Sequence, residues 1–504
     1  MRVLPQRRIG SLLSVRAGRI GEVVRPRPML QLGLGVAMGI SLAEWGALPA
    51  APSVAAGLLA LTLALSIPSW AWLALGLTLG TARYELWRSP PTLTPPPIAT
   101  LRAVGTLEPT RNGYRLLCTF ESPSLPTHAL VYFRPNVQNL PDYGDVFRLE
   151  ASWRRPPRIG RFDWGKYLER RRVYHITTVF NERQFEILQS GAGKWQRFFS
   201  RARISLRETL RTRLSPDSAA LLEGMLVGAT GDFPPDLREA FHKAGTGHLL
   251  ATSGLHVAIA LHLVYFLLRG TPTPFAVRVG LVIAAAWGYA LLAGLRPSIV
   301  RAATMVNCAL CAPLAGREAD SLNALGLAGA IWLLIAPHAI FEVGFQYSFC
   351  AVLFILLFYG RLQQRLRSLS LRAERLIASS FWRGVDKGLI PLLSVSLCAQ
   401  AGISLIQLYH FGYLSLLAPV ANLLAVPLAY PTLASGFWLW LSQGVGAGFV
   451  ELLCAWQQWV ALTFSSDRVP ALHAVSLPAW GVIGFYAGVL LFAPEPPLFE
   501  AEAF

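Results

Sequence analysis

GTGHLLATSGLHVAIA, residues 245–260, opens the long apolar half of the chain, and its reading decides the fold. The stretch ends in the aliphatic run of a membrane span. Its first turns, however, hold His248, Ser253 and His256 among Gly245, Gly247 and Gly254. A polar side chain in hydrocarbon is costly, so histidines and serines at that depth face a bundle interior or a wet path. His248, Thr252 and His256 recur at i, i+4 and i+8, which on a helix is one stripe with Ser253 at its edge. The glycines permit unusual backbone or close helix approach.

The chain has 504 residues, 53% hydrophobic and only 14% charged, whereas soluble domains carry roughly 25% charged residues. That deficit indicates a polytopic membrane protein. Apolar runs cover 29–48 and 51–87, the second divided by Pro68, and then 248–268, 275–295, 299–315, 321–337 and 341–360. Further runs lie at 389–409, 413–446, 449–466 and 477–493. The expected fold is mostly α, with about 10–12 transmembrane or re-entrant helices. Gly412, Pro419, Pro427 and Pro431 predict that 413–434 is broken or re-entrant.

The net charge of +17 is uneven. Residues 1–28 hold seven Arg against one Glu, a basic tail expected in the cytoplasm. Residues 29–88 supply about three spans, which place the next segment outside. That segment, 95–190, carries alternating runs such as YRLLCTFES, HALVYFRP and YHITTVF bounded by Pro, Gly, Asn or Asp. Five such strands predict a small inserted extracytoplasmic β-barrel, OB-like. Residues 191–215 space seven basic residues among aromatic and aliphatic ones, predicting a basic amphipathic interfacial helix. Residues 216–495 form the membrane domain. Five spans within it bring the chain inside, where the basic segment 361–387 fits as a cytoplasmic loop.

Four polar clusters lie in the apolar half. Beyond the opening stretch these are Arg296, Ser298, Arg301 and Asn307 after Gly294; Glu342, Gln346 and Ser348; and Gln400, His410, Ser415 and Asn422. Ser253 lacks the G-x-S-x-G elbow of a serine hydrolase, since Ala251 takes the first position. No H-E-x-x-H occurs, and the Cys308-x-x-Cys311 pair has no second half, so neither a metal nor any other cofactor is expected. The clusters read best as a transport path.

Several motifs then fall in a familiar order. Residues 237–256, AGLRPSIVRAATM (293–305), FEVGFQYSFCAV (341–352) and YHFGYLSLLAPVANLLAVPL (409–428) closely resemble the ordered signatures of the ComEC competence family. IGRFDWGKYLERRRVYH (159–175) is similar to the end of that family's N-terminal domain. The resemblance runs from the first spans to about residue 490. It implies a multi-pass inner (cytoplasmic) membrane protein that conducts single-stranded DNA into the cytoplasm during natural transformation. It also implies an external OB-like domain that handles DNA. Many members carry a C-terminal metallo-β-lactamase-like domain; no H-x-H-x-D-H run occurs here, so nuclease activity, and enzyme activity in general, is not expected of this chain.

On this reading His248, Ser253, His256, Arg296, Ser298, Arg301, Gln346, Ser348, His410 and Asn422 line the path, shaped by Gly245, Gly247, Gly254, Gly294, Pro419 and Pro427. Arg154, Arg155, Arg161, Tyr132 and Trp153 would hold DNA in the β domain, by phosphate contact and base stacking. No G-x-x-x-x-G-K-[ST] loop is present, so a cytoplasmic DNA motor or strand-binding protein is an expected partner. Membrane lipids, a separate nuclease and a second copy in a homodimer complete the expected partners. A transporter of another anionic polymer or lipid intermediate is the alternative, and an intramembrane hydrolase using Ser253 and His256 the less favoured one.

Overall fold

The computed structural model describes residues 27–44, 71–88, 94–105, 107–110, 112–122, 127–157, 164–191, 194–229, 233–250, 252, 254–295, 297–314, 320–376, 388–466, 468–473 and 477–492. In chain order the described elements begin with α1 (Pro28–Glu44) and α2 (Ala71–Arg88). The β module follows, with β1 (Ile98–Ala103), β2 (Glu108–Thr110), β3 (Gly113–Phe120), β4 (His128–Phe133), β5 (Val146–Glu150), α3 (Trp164–Arg170), β6 (Val173–Val179) and β7 (Phe185–Gln189). Next come α4 (Lys194–Arg213), α5 (Pro216–Val227), α6 (Pro235–Lys243), α7 (Gly254–Arg269), α8 (Phe275–Leu292), α9 (Pro297–Leu314) and α10 (Ser321–Ile335). The chain closes with α11 (Val343–Leu376), α12 (Ile390–Phe411), β8 (Tyr413–Ser415), α13 (Ala418–Leu441), α14 (Ala447–Phe464), β9 (Ala471–His473) and α15 (Ala479–Phe492).

The protein is mostly helical. Among the described residues, four helical segments are long and apolar enough to cross a membrane: Phe275–Leu292, Val343–Leu371, Ile390–Phe411 and Ala418–Leu441. Five shorter apolar helices, Pro28–Glu44 among them, fall short of a hydrocarbon core of roughly 30 Å at about 1.5 Å per residue. Of the expected spans in 29–88 the structure describes two helices; 45–70 lies outside the described residues.

Contacts divide the chain into two units. One comprises Met1–Tyr84, Cys308–Leu423 and Pro470–Phe504. Here α1 and α2 meet through glycines: a Cβ on Gly35 or Gly39 would stand 2.1 or 2.2 Å from the Leu73 or Leu77 carbonyl oxygen. Gly76 and Gly80 return the arrangement, so a small-x-x-x-small pair on each helix lets the backbones touch. Helix α11 runs to Leu376, which corrects the expectation of a loop from Arg361. Residues 361–376 contain neither Gly nor Pro and are rich in Leu, Arg, Gln and Glu, all good helix formers. Helix α12 packs along α11 and stops where Gly412 turns left-handed at φ +66°. There β8 pairs antiparallel with β9.

The other unit comprises Glu85–Asn307 and Leu424–Val469. Its sheet runs β6-β4-β3-β1-β5-β7, with β2 paired to β3. All pairs are antiparallel except β4–β6, which is parallel. Beyond β5, Arg154 forms an antiparallel bridge to Ile176 of β6. Alternate residues point inward, so Leu101, Leu116, Cys118, Val131, Phe133, Phe147 and Leu149 form one core. Leu130 and Val173 turn the other way, onto Leu168 of α3.

Candidate functional site

The opening stretch does not form the continuous helix its spacing predicts. Helix α6 ends at Lys243, and Gly245 follows at φ +77° while the Thr246 amide reaches back to the Phe241 carbonyl at 3.0 Å. A left-handed residue with this 6→1 bond is a helix stop. Gly247–Leu249 is then a single 3-10 turn. A Cβ on Gly247 would stand 2.6 Å from His242 Nδ1, so the ring lies against the turn. Helix α7 starts only at Gly254. His248, Thr252 and His256 therefore share no helical stripe: His248 is in the turn, Thr252 in the link and His256 in the first turn of α7. His248 stays accessible, while Thr252 and His256 are buried. Gly254 has only Ala302 Cβ nearby, at ordinary contact distance, so no close helix approach depends on it. Ser253 lies outside the described residues.

The second cluster meets the first. Helix α8 ends with the Leu295 amide bonded to the Ala290 carbonyl at 2.7 Å. Gly294 and Leu295 are both left-handed, at φ +78° and +53°. For leucine that conformation costs on the order of 1–2 kcal/mol. After this corner α9 begins, and Ser298 Oγ donates to the Thr252 carbonyl at 2.6 Å. Arg301, one turn further along the same face, is only 3% exposed. Asn307, in the amide orientation that satisfies both neighbours, accepts from Trp287 Nε1 at 2.7 Å and donates to the Ala303 carbonyl at 3.1 Å. Arg296 lies outside the described residues.

Helix α4 braces this region. It spans 20 residues, Lys194–Arg213, and its arginines are not all turned outward. Arg203 donates from Nε and Nη2 to the Leu292 and Leu291 carbonyls at 2.7 and 3.0 Å. Arg207 and Arg211 both grip Glu223, whose side chain is 2% exposed, at 2.9 and 2.5 Å. Leu206 and Leu210 are fully buried between them. Sequence reasoning gave Glu223 and these arginines no such role; the signal was a lone Glu inside an apolar run opposite an arginine-rich helix.

The remaining polar residues fall in the other unit. Gln346 donates from Nε2 to the Ile340 carbonyl at 2.9 Å, which leaves its oxygen as acceptor for His410 Nε2 at 3.0 Å. That bond fixes the His410 tautomer with its proton on Nε2. Asn422 donates to Ser396 Oγ at 3.3 Å, and its Oδ1 has no hydrogen-bond partner among the described residues. The same holds for the buried Ser415 hydroxyl. Ser348 is half-buried on α11.

The expected break in 413–434 is corrected in position. The interruption is at Gly412 and β8, whereas α13 runs unbroken from Ala418 through Pro427 and Pro431. Each proline removes a backbone donor from the helix interior. Beside Pro427 the Leu424 and Ala425 carbonyls accept from Trp456 Nε1 at 3.0 Å and Gln457 Nε2 at 2.9 Å. The carbonyl that Pro427 deprives of its helical donor is that of Leu423, four residues back, so these two bonds tie α13 to α14 beside the proline. Pro419 is buried in the first turn of α13, where the missing N–H is harmless.

In the β module, Arg154 and Arg155 are exposed, and Arg161 lies outside the described residues. Trp153 donates to the Pro96 carbonyl at 2.9 Å and packs edge-on to Phe120 and His175. Tyr132 is half-buried beside Arg115. Trp164 stacks on Tyr167 with centroids 5.4 Å apart.

A sequence profile described as Competence protein matches residues 225–495, just over half of the chain. The chain belongs to the Competence protein family. Three similar proteins place this family member among its relatives. Over 276 residues it is 32% identical to ComE operon protein 3 of Bacillus subtilis (strain 168), covering 53% of this chain and 31% of that protein. Over 192 residues it is 32% identical to an uncharacterized protein of Aquifex aeolicus (strain VF5), covering 36% of this chain and 46% of that one. Over 233 residues it is 28% identical to the uncharacterized protein YcaI of Escherichia coli (strain K12), covering 44% and 28%. Each match thus spans less than half of the relative's own length. No solved structure matches the chain. The profile contains the Thr252, His256, Ser298 and Arg301 group as well as Gln346, His410 and Asn422.

Proposed function

We propose that this Competence family protein is the membrane channel component of DNA uptake, passing single-stranded DNA across the bacterial inner membrane into the cytoplasm. The observation that carries the reading is Arg301, a cation buried among apolar helices one turn beyond the Ser298–Thr252 bond. Ionisable side chains at such depth in a membrane bundle mark substrate or ion paths, and a phosphodiester backbone is an anion that such a path would carry. Family membership and the likeness to a ComE operon protein support the same reading. We read the N-terminus as cytoplasmic, and the shorter apolar helices with the other apolar runs of the sequence as completing a bundle of about 10–12 spanning or re-entrant elements.

The β module is read as an extracytoplasmic OB-like barrel. Its strand order, its one parallel pair and the Arg154–Ile176 bridge support this. Arg154 and Arg155 would meet phosphates, with Tyr132 and Trp153 behind them. The chain itself is taken to have no enzyme activity: a cytoplasmic motor or strand-binding protein supplies the pull, and a separate nuclease degrades the strand left outside. Gene deletion followed by transformation with labelled DNA tests the assignment. Loss of cytoplasmic label with surface label retained is the expected result. Undiminished cytoplasmic label in the deletant overturns it.

A further inference from the structure

The corner between α8 and α9 is held from outside itself. The Arg203 guanidinium donates to the last two carbonyls of α8, Leu291 and Leu292. The next residues, Ala293, Gly294 and Leu295, bond back to Tyr289, Leu291 and Ala290, and Gly294 and Leu295 are the two in left-handed conformation. Leucine enters that conformation reluctantly, so something must favour it here. A guanidinium at a helix C-terminus does so in two ways: it donates to the last carbonyls, of which Leu291 also accepts from the Gly294 amide, and it complements the negative end of the helix dipole. Three residues past Leu295 lies Ser298, bonded to the Thr252 carbonyl, and three past that lies the buried Arg301. The direction in which α9 leaves the corner therefore decides where Ser298 and Arg301 stand.

Helix α4 reaches this corner from the β module. Ser200, three residues before Arg203, donates to Asp142 Oδ1 at 3.0 Å, in the loop leading to β5. Past Arg203, Arg207 and Arg211 hold Glu223 of α5. One helix is thus pinned to the β module at one end and to α5 at the other, with Arg203 on the corner between.

We propose that Arg203 is a positioning residue: it stabilises the left-handed Gly294–Leu295 corner and so places Ser298 and Arg301 for substrate. The role in transport rests on the uptake reading above; the role in the corner does not. The test uses the full-length protein with Arg203→Ala, Arg203→Lys and the double change Arg203→Ala with Leu295→Gly. Amide exchange of residues 293–295 in purified protein reports the corner directly, and labelled-DNA uptake at matched membrane levels reports function. Two hydrogen bonds to a charged group correspond to roughly tenfold or more in local opening. Arg203→Ala should speed exchange at these amides by about that factor, leave β-module protection unchanged and lower uptake in parallel. Adding Leu295→Gly should restore both, because glycine occupies the left-handed region freely. Arg203→Lys, which keeps the charge but loses the two-pronged donor, should fall between. Unchanged exchange at 293–295 in Arg203→Ala, or in Arg203→Lys if the alanine chain does not accumulate, overturns the positioning role. Faster exchange with undiminished uptake keeps the corner assignment and overturns the uptake reading of this group.

Discussion

Arg301 and Glu223 are both buried charges, and substitutions at the two are expected to act on different readouts. Glu223 is engaged by Arg207 and Arg211 within its own unit, as a structural clamp would be. Removing one member of such a group leaves the others uncompensated, which costs roughly 3–5 kcal/mol in full burial. Arg211 is half exposed and stays hydrated, so Glu223→Leu should sit at the low end of that range. The expected outcome is a lower membrane level and a lower unfolding temperature; an unchanged melting curve would remove the clamp. For Arg301 the expected loss is in transport: Arg301→Met should accumulate yet lower DNA uptake by about tenfold or more, with Arg301→Lys retaining part of it. Uptake equal to the parent in Arg301→Met would take this residue out of the path. Arg301 was legible in the sequence as a polar residue in an apolar run, whereas Glu223 was not singled out. The grouping of the polar residues was not legible. An i, i+4, i+8 spacing looks the same whether a helix runs through it or a left-handed Gly245 stops one helix and Gly254 begins another.

Among the elements, those with a strong period were the readable ones. The five predicted strands are β1, β3, β4, β5 and β6, each showing inward and outward residues in turn. β2 has three residues and a proline, and β7 is mostly exposed, so neither carried an alternation to detect. Proline position misled in α13 because each proline removes a single donor without ending the helix, while Trp456 and Gln457, distant in sequence, tie α13 down beside Pro427. The α1–α2 pairing gives a sharp test at this scale. Gly39→Leu would place side-chain atoms where the Leu77 carbonyl oxygen stands 2.2 Å from an ideal Cβ. Backbone cannot give way as a side chain can, so the cost exceeds the usual 1–3 kcal/mol or so of overpacking. Gly39→Leu should sharply reduce accumulation of the full chain, whereas Gly484→Ala, with nothing within 4 Å, should not. Equal accumulation of the two variants would contradict the backbone contact.

For the whole molecule, the division into two units passes through α9 between Asn307 and Cys308, and through α13 between Leu423 and Leu424. No change of composition marks either point, which is why a linear reading could not find them. The β module, by contrast, was visible as a shift from apolar to arginine-rich sequence, and that basicity has a consequence for stability. His128 and His175 both lie in the module with Nδ1 lacking a hydrogen-bond partner among the described residues. Burial lowers both imidazoles below the ordinary histidine range, and then Arg172 lowers His128 and Arg155 lowers His175 further. Below an ordinary pKa near 6.5 or so, the unfolded chain takes up protons that the folded module refuses. Stability is therefore fully present above that value and falls as pH drops toward the depressed folded values. Strand protection in β4 and β6, corrected for the intrinsic pH dependence of amide exchange, should decline across that interval while α13 stays level. His175→Gln should flatten part of the slope. Arg155→Gln should narrow the interval without abolishing it, because burial is the larger cause and survives the substitution. A decline that begins only where carboxylates titrate, near pH 4 or so, would assign the acid sensitivity to Asp and Glu instead.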